Sequence, residues 1–189
     1  MIVSAGDNET FSFATLIGVG LIDSAINLTR LCLFDKPDYI LFIGSAGSYG
    51  DYNIFDIIES STASNIELSF LENNSYTPID NVLKSENLKL QSETIVNSSN
   101  YISTNSTVSK KLISYGIGIE NMEFFSVLKV AKEFDIDVKG IFVVTNYTNE
   151  HAHEDFISNH KKAIDILLSY LEDKKIIVPH GTDINKGDK

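Results

Sequence analysis

From Tyr39 to Ile43 the chain runs through five consecutive apolar residues, and then through Gly44-Ser45-Ala46-Gly47-Ser48, all of them small. A short uninterrupted apolar run has no polar face to offer water. It reads as a strand buried on both sides, in a parallel sheet covered by helices. Small residues at the carboxyl end of such a strand let a ligand approach the backbone, and in open α/β sheets ligands bind at that end. Residues 44–50 therefore either wall a small-molecule site or form a tight turn that needs glycine.

The flanking pattern agrees with that reading. Met1 to Ala5 is a short apolar strand, Gly6 to Thr10 a polar turn, and Phe11 to Ile17 a second strand. Gly18-Val19-Gly20 leads into a helix in which Leu21, Ala25, Leu28, Leu31 and Cys32 share one face, ending near Asp35 before Lys36-Pro37. Strand, glycine turn, helix and buried strand make a βαβ unit. Further strands are expected over Ile54–Glu59, Ala63–Phe70, Glu93–Val96, Ile117–Glu120 and Gly140–Thr145. Helices are expected from Thr107 to near Gly116, from Phe124 to Phe134, and from Glu154 to Asp173 with Phe156 in its apolar set. Residues 71–92 read as a long polar loop. The alternation predicts one α/β domain over residues 1–175, a central twisted mixed, mainly parallel sheet flanked by helices, with a polar C-terminal tail over 176–189.

Length and composition narrow the function. A chain of 189 residues with 43% hydrophobic content suits one domain with a substantial core. A net charge of −11 argues against nucleic acid and anionic membranes as partners. One cysteine, Cys32, allows no intrachain disulfide. No apolar run approaches the roughly 18 residues of a membrane span, and the start has no basic-then-apolar leader, so a cytoplasmic protein is expected. His151, His153 and His160 fit no zinc-ligand spacing, and no metal is expected.

Three stretches, 44–50, 120–123 and 145–149, close buried strands with small or polar groups and can converge at one sheet edge. Glu123 can accept two hydrogen bonds from a diol, Asn146 can donate to a ring nitrogen or carbonyl, and Tyr101 can stack on a flat heterocycle. That inventory suits a nucleoside.

The sequence resembles the nucleoside phosphorylase and nucleosidase superfamily (purine nucleoside phosphorylases and methylthioadenosine/S-adenosylhomocysteine nucleosidases). The resemblance rests on Gly18-Val19-Gly20, on Lys36-Pro37-Asp38 with the following strand and Gly44-Ser45-Ala46-Gly47, on Phe55-Asp56-Ile57-Ile58, on Asn121-Met122-Glu123, on Tyr101-Ile102, and on Val143-Val144-Thr145-Asn146. It implies cleavage of the N-glycosidic bond of a purine nucleoside. Glu123 with Met122 would hold the ribose, Tyr101, Ile102 and Asn146 the base, and Gly44, Ser45, Ala46 and Gly47 would form a glycine turn bordering the nucleophile. Glu9 is the candidate for activating water, and the polar loop through His151 and His153 for closing over the purine. A homodimer or higher oligomer is implied, and no cofactor beyond phosphate as a possible co-substrate.

Three departures modify that expectation. Nucleosidases of the family carry an aspartate as general acid where this chain has Asn146, which has no titratable proton; Asp155 or Glu150 are possible substitutes. The arginine that phosphorylases place before the glycine turn is missing, and Arg30, the single arginine, stands elsewhere, so water is favoured over phosphate. The segment between the first strand and Gly18-Val19-Gly20 is also shorter than in the family, by roughly 40 residues on the family pattern.

Overall fold

The computed structural model describes residues 1–88, 90 and 93–178. In chain order it holds β1 (Ile2–Ser4), β2 (Thr15–Leu16), α1 (Gly20–Asp35), β3 (Tyr39–Ser48), β4 (Ile57–Ser60), β5 (Thr62–Ser64) and α2 (Leu68–Leu71). These are followed by β6 (Val82–Lys84), β7 (Ile95–Ser98), α3 (Ser106–Ser114), β8 (Ile117–Asn121), α4 (Phe124–Glu133), β9 (Asp137–Tyr147) and α5 (Ala152–Asp173).

The long strands β3 and β9 form the spine, pairing in parallel from Tyr39/Asp137 to Ser48/Tyr147. Their side chains alternate between two cores, as the period of two requires. Ile40, Phe42 and Ala46 of β3, with Val138, Phe142 and Val144 of β9, face a core shared with Leu28 and Cys32 of α1 and Phe124, Val127, Leu128 and Ala131 of α4. Leu41, Ile43, Ile141 and Val143 face a second core closed by Ala163, Leu167 and Leu171 of α5. The uninterrupted apolar run is thus explained: both faces are covered. Of the strand pairs, β1–β2, β1–β3, β3–β9, β5–β7 and β7–β8 are parallel, and β3–β8, β4–β9 and β5–β6 antiparallel. The sheet is mixed and mainly parallel, as expected.

One edge of β3 splits. Its first half pairs with β1 at Leu41 and Phe42, and its last residues pair with β8 at Gly47 and Ser48. Between them β1 and β8 diverge, leaving the edge of β3 free of a strand partner at Gly44–Ala46. The site forms in this gap.

Several expected elements need correction. Gly44-Ser45-Ala46-Gly47-Ser48 is not a turn; it continues β3 as strand. The residues are small because neighbouring groups fill the space a side chain would take: a Cβ on Gly44 would lie 2.7 Å from Glu9 Oε2, and one on Gly47 3.1 Å from Asn146 Nδ2. The strand expected over Phe11–Ile17 shrinks to Thr15–Leu16, because Phe11 and Phe13 turn inward and pack on the α5-side core with ring centroids 5.5 Å apart. The strand expected over Ala63–Phe70 ends at Ser64. There the Asn97 carboxamide accepts from Ile66 N–H and donates to Ile66 C=O, taking the backbone out of the ladder before the single turn of α2. The long polar segment contains β6, which pairs with β5 and ties Lys84 to Glu93 at 2.7 Å. His153 stands on the first turn of α5 rather than in a loop. Of the expected tail, 179–189 lies outside the described residues.

In the α4-side core the rings of Phe42, Phe124 and Phe142 meet at centroid distances of 5.8, 5.7 and 5.1 Å. Gly140 makes room for them, since a Cβ there would sit 2.8 Å from Phe124 Cε2 and closer still to the Phe142 ring. Gly140→Ala is expected to overpack this cluster and cost about 1–3 kcal/mol, read as a lower urea midpoint at unchanged m-value; an unchanged midpoint would contradict it.

Candidate active site

A cavity of about 310 Å³ opens where β1 and β8 part from β3. It is built from the loop after β1, the end of β3, the loop after β7, the end of β8, the end of β9 and the start of α5. The structure brings together Glu9, Ser45, Ala46, Gly47, Tyr101, Ile102, Met122, Glu123 and Asn146 on its walls. Gly44 lies behind the wall, under the Glu9 carboxylate. Glu150 and Asp155, the substitute acids, do not line the cavity.

Glu9 reaches the site through a tight turn. Its N–H donates to Gly6 C=O at 2.8 Å, with Gly6 and Asp7 at positive φ, where glycine is strain-free. The Ser4 hydroxyl donates to Glu9 C=O at 2.8 Å, and His160 Nε2 lies 2.9 Å from Asn8 C=O, fixing the turn to α5. Glu9 Oε1 then accepts from the Ser45 N–H at 2.8 Å and from the Ser45 hydroxyl. That N–H lies on the edge of β3 that neither β1 nor β8 pairs, so the carboxylate satisfies a donor the split would leave open. Glu9 Oε2 is buried without a hydrogen-bond partner among the described residues. Burial raises the carboxyl above its ordinary value, against the Ser45 bonds.

Glu123 caps a helix from afar. Val19, at the N-cap of α1, offers no side-chain bond; instead Gly20 N–H donates to Glu123 Oε1 at 2.8 Å and Leu21 N–H to Asn100 Oδ1 at 2.9 Å. This explains Gly18-Val19-Gly20: Gly20 has φ +83°, and a Cβ there would meet Asn100 Oδ1 at 2.9 Å. Asn121 Oδ1 accepts from the N–H groups of Glu123 and Phe124 at 2.8 and 2.9 Å, fixing the backbone that carries the carboxylate. Burial pushes Glu123 up to about 7, opposed by the Gly20 bond and reinforced by the charge of Glu9.

Asn146 is placed by a bulge. The β3–β9 register passes from Ala46/Val144 to Gly47/Asn146, leaving Thr145 as an extra residue. Without it Asn146 would pair with Ser48 and point to the other face. The Thr145 hydroxyl donates to Asn146 Oδ1 at 2.8 Å, and Asn146 Nδ2 to Tyr147 C=O at 3.2 Å. Tyr101 and Ile102 stand at the mouth, the Tyr101 side 84% exposed.

Sequence reasoning missed Glu120, half-buried on the cavity wall, and assigned Phe156 to the core although its ring lines the cavity, packed on His160 at 4.9 Å. Glu120 could have been found as the single charged residue of the Ile117–Asn121 strand; nothing in the helical period separates Phe156 from core positions. Among the described residues no lysine or arginine lines the cavity, and Arg30 is exposed on α1.

The sequence matches no protein-family model and no curated protein. Its fold is similar to solved structures at low identity. A mutant Helicobacter pylori MTAN, a methylthioadenosine/S-adenosylhomocysteine nucleosidase, with 5'-methylthioadenosine in its active site aligns with TM-score 0.69 and 18% identity, over 85% of this chain and 79% of that one. A mutant of Helicobacter pylori futalosine hydrolase aligns at 0.73 and 16%, over 91% and 97%. The Streptococcus pneumoniae nucleosidase with the transition-state inhibitor MT-ImmA aligns at 0.69 and 13%, over 90% and 97%. The chain thus has the fold of the nucleosidases.

The raised carboxyl of Glu123 has a consequence for stability. Its folded pKa of about 7 lies above its ordinary 4.5, so between those values the folded state holds a proton the unfolded chain has lost. Stability is full below 4.5 and falls as pH rises through 7. Glu123→Gln keeps the Gly20 acceptor and is expected to remove a loss on the order of 3 kcal/mol between pH 4.5 and 7. Urea unfolding at pH 5 and 8 checks this, and an unaltered pH slope would contradict it.

Proposed function

We propose that this protein cleaves the N-glycosidic bond of purine nucleosides with water as acceptor. The observation that carries the reading is the pairing of two buried carboxyls, Glu9 and Glu123, across one cavity that also presents Asn146 and an aromatic side chain. Glycosidic cleavage passes through an oxocarbenium-like sugar, whose positive charge gains from carboxylates fixed in a dry site. Glu123, beside Met122, accepts hydrogen bonds from the ribose hydroxyls. Glu9, oriented by Ser45 and with a free buried oxygen, takes the proton of the attacking water. Asn146 contacts the base, and Tyr101 with Ile102 covers its face. Fold likeness to nucleosidases crystallised with methylthioadenosine or MT-ImmA supports the same reading.

Water is favoured over phosphate because the cavity wall carries Asp7, Glu9, Glu120 and Glu123 and no lysine or arginine among the described residues. An anion would meet a negative field with no cation to pair it. The test is release of free base from inosine, guanosine, adenosine and methylthioadenosine, with and without phosphate. Release without phosphate is expected, and Glu9→Gln is expected to lower kcat by about 100-fold or more. Release that requires phosphate would overturn the choice of acceptor. Purine-dependent thermal stabilisation without turnover would make the protein a binding member of the fold.

The same reading includes self-association. Val19, Ile22, Ile26 and Leu33 form one exposed stripe on α1, with Ile22 66% accessible, and Val19 also lines the cavity. A second copy packed on this stripe would cover apolar surface next to the site. Light scattering should give a dimer or larger species that Ile22→Glu/Ile26→Glu converts to monomer; a monomeric wild type would refute it.

A further inference from the structure

Three adjacent strands present a row at the back of the cavity. Gly47 of β3 pairs with Glu120 of β8 on one side and with Asn146 of β9 on the other. Paired residues point to the same face of a sheet, and Gly47 has no side chain to keep its neighbours apart. Both therefore close over it: a Cβ on Gly47 would touch Asn146 Nδ2 at 3.1 Å and Glu120 Cγ at 3.3 Å. The side chains of Glu120 and Asn146 thus close on Gly47 from its two sides, Asn146 being the one polar group that the nucleosidase reading gives to the base.

Glu120 is also held as a working group rather than a solvated charge. Tyr49 O–H donates to Oε2 at 2.8 Å and Ser103 N–H to Oε1 at 2.9 Å, so the plane of the carboxyl is fixed. Among the described residues it has no cationic partner, and its recorded neighbours are Tyr49, Ser103 and Gly47. A carboxyl largely withdrawn from water and without a counter-charge is favoured in its neutral, proton-bearing form. Burial indeed raises Glu120 above its ordinary value against the bonds from Ser103 and Tyr49, and Tyr49 is itself raised well above its own and stays protonated.

We propose that Glu120 is the proton donor to the departing base, a role Asn146 cannot fill. The proposal rests on the nucleosidase reading. The bond from the anomeric carbon to the base nitrogen breaks with its electron pair going to the base. The Glu120 proton moves to a nitrogen of the base, which leaves neutral. Water forms the new bond to the anomeric carbon and gives its proton to Glu9. Glu120 ends ionised and Glu9 protonated, and exchange with solvent restores both. Asn146 then orients the base between the carboxyl and the aromatic cover.

The test uses leaving groups that differ in their need for a proton. The full-length wild type and Glu120→Gln are assayed on the purine nucleoside that the wild type cleaves best and on p-nitrophenyl β-D-ribofuranoside, whose phenolate departs without protonation. Glu120→Gln is expected to lose about 100-fold or more in kcat on the nucleoside at little-changed KM, and to stay within about twofold on the phenyl riboside. Tyr49→Phe, which leaves the carboxyl in place, is expected to show the same selectivity at smaller size, and serves if Glu120→Gln does not fold. Equal losses on both substrates, no loss on the nucleoside, or a loss confined to KM would each overturn the assignment while leaving glycosidic cleavage standing. A wild type that cleaves neither substrate would overturn the nucleosidase reading and this proposal with it.

Discussion

The cavity holds three carboxyls, the buried Glu9 and Glu123 and the half-buried Glu120, and among the described residues no lysine or arginine lines it to neutralise them. A buried charge is costly unless it is hydrogen-bonded, and here the main chain provides the bonds. Each carboxyl is anchored by one distant backbone N–H: Glu9 by Ser45, Glu120 by Ser103, Glu123 by Gly20. Each N–H belongs to a segment short of backbone partners. Ser45 lies where β3 loses its neighbour, Gly20 starts a helix without a side-chain cap, and Ser103 follows the end of β7. The carboxyls complete the backbone and the backbone orients the carboxyls, so fold and site are specified together.

This reciprocity explains why the elements converge as they do. The separation of β1 from β8 along β3 makes the gap, and the Gly6–Glu9 turn drops an acid into it. The start of α1 is fastened to the end of β8 through Glu123 and to the loop after β7 through Asn100. With both helices of the α4-side core tied to the sheet at this point, loss of Glu123 removes a wall of the cavity and a cap of α1 at once.

Much of this was legible in the sequence. The five apolar residues from Tyr39 announced a strand with two covered faces, and α1 was readable to its last residue from the period of Leu21, Ala25, Leu28 and Cys32 and the stop at Lys36-Pro37. Short elements were not, because their ends are set by distant side chains: Asn97 stops β5, and inward packing of Phe11 and Phe13 shortens β2. Of the candidate residues, those in compact motifs came together in the cavity. Gly44 makes room for the Glu9 carboxylate, and Glu120 escaped notice because its place on the cavity wall arises from a cross-strand pairing that no single segment displays.

The bulge at Thr145 bears on how this site tolerates change in length. Up to Val144 the strand alternates faithfully between its two cores, and one supernumerary residue then reverses the parity. The hydroxyl of Thr145 braces Asn146. A substitution there trims a contact and removal of the residue leaves Asn146 opposite Gly47 in a plain ladder, whereas one residue more after the bulge moves Asn146 opposite Ser48 and onto the other face. Which side chain faces Gly47 is therefore written partly as a number of residues, and a comparison of strands by composition alone would overlook it.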